Sequence, residues 1–226
     1  MGAKAFDAER LQSKTAYVMD LSGPVGDCAV AAPTLITFSA EVVGKAAHAG
    51  FAPEEGVHAI QVAAAAVANL PSGRWGDVMV NVGTISGGRA TNIVPDSCTV
   101  TGEIRALCHQ DALDRLNEIH SEFVEQAQAV DAKLNFNHTI HITGYRVDTD
   151  APVAQRFKRA CEAVGVAPRF TDTYGGSDCN ILSAHGIQGL VVATAMNNCH
   201  AVSEYTSVEE LCKAARLAQA LMEKQD

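Results

Sequence analysis

Several things are missing from this 226-residue sequence: an apolar run near the roughly 20 residues of a membrane span, a lysine or arginine cluster, a C-x-x-C pair, an H-E-x-x-H and any internal repeat. The opening residues, Met1 to Asp7, hold no apolar signal core and no Ser or Thr five residues after Met for myristoylation. Membrane insertion is therefore excluded and a cytoplasmic location expected. A formal net charge of −9 and a pI near 5.3, with no basic patch, argue against a nucleic-acid partner. Seven scattered cysteines, an odd number, rule against a disulfide framework or a structural zinc finger, and most are expected to pack as small buried apolar residues. What is present, 47% apolar and 19% charged residues at a mean hydropathy near zero, describes an ordinary globular chain long enough for its own core.

Patterning divides the chain into two kinds of segment. Thr15–Met19 reads as a short strand ending at Asp20, and Val25–Ala31 as a second strand after a Ser22-Gly23-Pro24 turn. Between Thr34 and Val43, Leu35, Thr37, Ser39 and Glu41 alternate with Ile36, Phe38, Ala40 and Val42, the mark of a strand with one wet face. A helix from Pro53-Glu54-Glu55 to Leu70, strands at Val78–Ile85 and Ile93–Ala106, a helix at His109–Val130 and a strand at Leu134–Ile142 complete a βαββαβ order. That order predicts a ferredoxin-like sandwich whose sheet leaves one face bare, to be covered by pairing with a second copy. The remainder alternates helix and strand, with Ser207-Val208-Glu209-Glu210 opening the last helix. The fold expected is α/β: a partial α/β layer domain (1–32 and 145–226) interrupted by a ferredoxin-like domain (33–144).

Three stretches stand out chemically. Gly44-Lys45-Ala46-Ala47-His48-Ala49-Gly50 presents a histidine among small residues just past a strand, where the alternative is a plain turn histidine. Tyr174-Gly175-Gly176-Ser177-Asp178 sets backbone donors before a helix, a place for a carboxylate or carbonyl oxygen, although two-glycine turns are common there. Asn198-Cys199-His200 and Glu204 follow a strand; standing alone, His200 reads as an exposed loop histidine. Asp20 reads equally as a turn initiator, and Arg105 as a paired surface group.

Together with Tyr17-Val18-Met19-Asp20, Asn92-Ile93-Val94-Pro95-Asp96 and Gly102-Glu103-Ile104-Arg105, these strings stand in the order found in one family. The chain resembles the peptidase T-like branch of the aminoacylase/carboxypeptidase superfamily of zinc peptidases. The resemblance implies two zinc ions per site, with Asp20 ligating one and His200 the other, and short peptides as substrate. It implies a homodimer through the ferredoxin-like lid, with His48 reaching the partner subunit's site to stabilise the oxyanion. Asn92 and Arg105 would hold the peptide backbone and terminal carboxylate, aided by Gly175, Gly176 and Ser177. Cys179 departs from the small residue usual in that branch. In such enzymes a His-x-Asp motif, a bridging aspartate and a Glu-Glu pair precede the Gly-Ala-Lys with which this chain opens. About one ligand per zinc is then expected here, and no hydrolysis by the chain alone. The other expectation is a catalytically dead dimerisation or ligand-binding module that complements another chain.

Overall fold

Alternation between Thr34 and Val43 becomes a strand whose Ile36, Phe38, Ala40 and Val42 are buried while the residues between them are partly exposed. In the computed structural model, which describes residues 2–223, it is one of ten strands and six α-helices. In chain order these are α1 (Gly2–Ala5), β1 (Thr15–Ser22), β2 (Asp27–Ala32), β3 (Thr34–Val43), α2 (Ala59–Asn69), β4 (Gly73–Trp75), β5 (Val78–Gly87) and β6 (Ser97–Ala106). There follow α3 (His109–Gln128), β7 (Lys133–Ile142), β8 (Tyr145–Arg146), α4 (Pro152–Ala163), β9 (Arg169–Asp172), α5 (Asp178–Ala184), β10 (Gln188–Met196) and α6 (Val208–Met222). The chain forms two units, an inner one of Thr34–His141 and an outer one of the residues before and after it. No described helix is long and apolar enough to cross a membrane.

The inner unit is a five-stranded sheet in the order β4-β5-β6-β3-β7. Helices α2 and α3 pack together on one face, where Val62, Ala66, Leu116, Ile119 and Phe123 meet the inward residues of β3 and β6. At about 25 cal/mol per Å² of apolar surface, this single cluster is the main stabilising term of the unit. The opposite face is polar: Thr37, Ser39, Asn81, Thr101 and Glu103 line a shallow hollow of about 400 Å³. Such a polar face is stable in water by itself. The edges remain: β4, a strand the periodicity does not announce, pairs only with Val78–Val80 of β5 and leaves the rest of that edge open.

Two expected elements are shorter than the pattern suggested. Pro53–Glu55 forms a separate 3₁₀ turn, and α2 begins only at Ala59, capped by His58. The reason is long-range: Val57 exchanges both backbone hydrogen bonds with Lys45, which holds Gly56 and Val57 extended. Likewise β6 starts at Ser97 instead of Ile93, because Pro95 has no N–H for the ladder.

The outer unit has its sheet in the order β1-β10-β2-β8, with β9 also on β2. Every residue of β2 is buried, as a strand covered on both faces requires. Asp27 at its start accepts a two-pronged ion pair from Arg169 at the start of β9, so the one buried carboxylate of the strand is satisfied. Cys28, Cys161 and Cys179 lie in this core with Phe157, Leu190 and Leu217, and Cys98 is buried in the inner unit. The Cys179 sulfur occupies the space over Gly189 of β10, where a Cβ would stand only 2.3 Å away. Its bulk is thus absorbed by packing against a glycine.

Burial pushes the thiols of Cys161 and Cys179 up to about 11, against about 8.5 in an unfolded chain. The unfolded state therefore releases these protons first. Stability contributed by the neutral thiols is complete below about pH 8.5 and declines as pH rises toward about 11. Thermal unfolding across this range is expected to show that decline, with a shallower slope in a C161A/C179A variant.

Candidate active site

Beyond the last β3–β6 pair, the chain continues as two hydrogen-bonded loops. Gly44 N–H donates to Asp96 O (2.9 Å), Val94 N–H to Ala47 O (2.9 Å) and Ala49 N–H to Asn92 O (3.0 Å). His48 and Asn92, both exposed, are thereby brought together at one end of the inner sheet. The His48 Nδ1 accepts the Gly50 N–H at 3.1 Å, so the proton of the neutral ring sits on Nε2. Phe51 stacks on the imidazole at 4.3 Å. The second loop is braced by an Arg89–Asp96 ion pair of 2.6 Å.

Arg105 lies at the other end. It faces Leu35, eight residues along β3 from Val43, which at about 3.4 Å per residue is about 27 Å away. Its Nε donates to Glu103 Oε1 at 2.9 Å on the polar face. A tripeptide spans only about 10 Å, so one chain cannot offer His48 and Arg105 to the same short peptide.

In the outer unit, β1 and β10 run parallel with regular register from Thr15↔Gln188 to Val18↔Val191, then slip before Leu21↔Ala193. Asp20 falls in that irregularity, exposed. The strand continues to Ser22, so Asp20 is not its terminal residue as expected. Bulges of this kind re-aim side chains next to active sites. His200, past the end of β10, is in left-handed backbone (φ 67°), as are Ala195 within β10 (60°) and Asn198 (52°); among described non-glycine residues only Asp131 shares that conformation. Three such residues within six store strain, which concentrates at functional sites. The loop is closed by Asn197–Tyr205 backbone bonds of 3.1 Å, and the Glu204 carboxylate accepts the His200 N–H at 3.1 Å. Asp20, near the carboxyl end of β1, and His200, beyond that of the neighbouring parallel β10, thus lie at the end of the sheet where open α/β sheets place ligands.

The Gly-Gly-Ser turn lies elsewhere. It follows β9, which runs parallel to β2 and hence opposite to β10, so it sits at the far end of the sheet from Asp20 and His200. Gly175 N–H donates to Thr173 Oγ1, Ser177 N–H to Asn180 Oδ1 and Cys179 N–H to Ser177 Oγ, which engages three donors inside the turn. Asn180, a residue the sequence reading passed over, is buried and also donates to Pro33 O (3.1 Å) and Thr143 O (2.9 Å). A Ser-x-x-Asn capping box was the available signal. Among the described residues no group of three or more His, Cys, Asp or Glu is placed to hold a metal ion.

An α/β layer unit interrupted by a two-helix, bare-faced sheet unit is the architecture of peptidases with a dimerisation lid. Residues 30–131 match the family described as peptidase dimerisation domain, M20_dimer. The chain is 31% identical over 225 residues to the uncharacterized protein YqjE of Bacillus subtilis, covering 99% of this chain and 61% of that protein. The crystal structure of aminopeptidase PepT from Bacillus cereus superposes with a TM-score of 0.93 at 36% identity, over 98% of this chain and 60% of the other. A Staphylococcus aureus tripeptidase gives 0.94 at 27% identity, over 98% and 59%. The chain is similar along nearly its whole length to peptidase T-like M20 peptidases, and it spans about 60% of the length of these relatives.

A Cβ on Gly44 would lie 2.1 Å from the Val57 carbonyl oxygen, whereas one on Gly50 would meet the His48 ring at an ordinary 3.6 Å. Gly44→Ala is expected to cost about 1–3 kcal/mol by overpacking, and Gly50→Ala within about 0.5 kcal/mol. Urea unfolding monitored by circular dichroism checks both.

Proposed function

We propose that this chain provides the lid and one side of the active site of a cytoplasmic zinc-dependent hydrolase of short peptides, of the aminopeptidase or tripeptidase type. The observation that carries the reading is the pairing of a carboxylate, Asp20, with an imidazole, His200, at the same end of two adjacent parallel strands, each in irregular backbone. Carboxylate and imidazole are zinc donors, but a zinc site needs about three protein ligands, and two donors do not complete even one ion. The residues present therefore do not fit a whole dinuclear centre, and no catalytic step is derived through metal. Asp20 is assigned to one ion and His200 to the other, with remaining ligands from outside this sequence.

What this chain contributes chemically is then chiefly His48. Its Nε2–H is a donor of the kind that stabilises an oxyanion as an amide carbonyl becomes tetrahedral. The 27 Å between the His48 and Arg105 ends of the sheet supports delivery of His48 to the site of a second copy, as a homodimer joined through the lid allows. Asn92, next to His48, is assigned to the substrate backbone in that same site, and Arg105 to a substrate carboxylate in the other. Gly175, Gly176 and Ser177 are assigned to substrate binding, with the Gly175 and Ser177 N–H groups also engaged by Thr173 Oγ1 and Asn180 Oδ1.

The shortfall of donors also favours a second reading, a catalytically silent dimerisation or ligand-binding module that complements another chain. Mixing the chain with the amino-terminal part of the Staphylococcus aureus tripeptidase, with zinc and a tripeptide substrate, separates the two. The first reading expects no turnover from the chain alone and zinc-dependent turnover on mixing. D20A and H200A should then abolish it, and H48A lower it by about 10²–10³-fold. A folded mixed complex without turnover would favour the second. Light scattering is expected to show a dimer in either case, and calorimetry of the metal-free chain alone no tight zinc site.

A further inference from the structure

At 86% exposure, Phe51 is the most exposed large apolar side chain of the inner unit, and it belongs to neither core cluster. Burial does not explain a phenylalanine there. Its described ring contact is the His48 imidazole, 4.3 Å away at an interplanar angle of 26°. The His48 backbone is already fixed, by its bridge to Ile93 and by Phe51 and Ala52 N–H groups donating to its carbonyl at 3.2 and 3.1 Å. Its ring is not fixed by those bonds. Ala47, Ala49 and Gly50 offer no side-chain wall, and a solvent-exposed amide bond to Nδ1 competes with water. A free imidazole on this loop would sample several rotamers and both tautomers.

We propose that Phe51 is the positioning residue for His48: its ring, with the Gly50 amide, boxes the imidazole into one rotamer and leaves the neutral ring's proton on Nε2 as an outward donor. The functional meaning of this box rests on the reading of His48 as an oxyanion donor, while the box itself can be tested without any activity. Stacking also carries the directional preference that a mere spacer lacks, because the π-face and ring edge differ in charge.

The test is nitrogen-15 NMR of histidine-labelled chain at about pH 8, above the ordinary imidazole value of about 6.5, with Gly50 amide exchange read alongside. The unaltered chain is expected to show His48 as a single Nε2–H tautomer with a protected Gly50 amide. F51A should leave the thermal midpoint in place, since the side chain is outside the core. It should also speed Gly50 exchange roughly two- to tenfold and mix the tautomers. F51W should restore both signals and F51L neither. Unchanged tautomer and exchange in F51A would overturn the proposal, and so would full rescue by F51L, which would reduce Phe51 to bulk. Failure of the catalytic reading looks different: H48A would keep full turnover in the reconstituted enzyme while these signals behaved as expected.

Discussion

The ten-residue antiparallel ladder between β3 and β6, from Thr34↔Ala106 to Val43↔Ser97, is the constraint on which the inner unit depends. Its alternation turns Ile36, Phe38, Val100 and Ile104 toward α2 and α3 and leaves Thr37, Thr101, Glu103 and Arg105 on the other face. A slip of one residue would reverse both faces at once. The same ladder sets the distances that matter for function. Its far end continues into the paired loops that carry His48 and Asn92, and its near end holds Arg105. A rigid strand pair therefore separates the His48 and Arg105 ends by more than a single tripeptide spans.

The outer unit concentrates its irregularity in one place. β1 and β10 pair regularly until Val18↔Val191, and beyond that come the Asp20 bulge and the left-handed Ala195, Asn198 and His200. Those conformations cost about 1–3 kcal/mol each. They persist because the fully buried β2 and the Asp27–Arg169 pair hold the rest of the sheet. Irregular backbone is thus concentrated at the carboxyl ends of two parallel strands, the end of the sheet that carries Asp20 and His200.

Local pattern made much of this legible. The alternation of β3, the amphipathic stripe of α3 and the Ser207 cap of α6, whose side chain accepts the Glu210 N–H, all follow from neighbours in sequence. What was missed depends on partners far along the chain. The α2 start was displaced by the Lys45–Val57 pairing, β4 and β8 are strands only because β5 and β2 lie beside them, and Asn180 matters through carbonyls at Pro33 and Thr143. The Gly-Gly-Ser turn illustrates the limit for sites: its composition suggests free donors, but its own Thr173, Ser177 and Asn180 side chains accept three of them.

Composition and periodicity alone determined an α/β chain with an inserted two-helix, antiparallel sheet unit, and the order of motifs determined its resemblance to peptidase T-like peptidases. Those properties reside in spacing and residue type, which short-range physics reads directly. Tertiary structure decided that His48 and Asn92 meet, that Arg105 lies a sheet-length away, that Asp20 and His200 share one end of the outer sheet and that Gly175 lies at the other. Strand direction and register settle such questions, and both are fixed by hydrogen bonds between residues that the sequence leaves far apart.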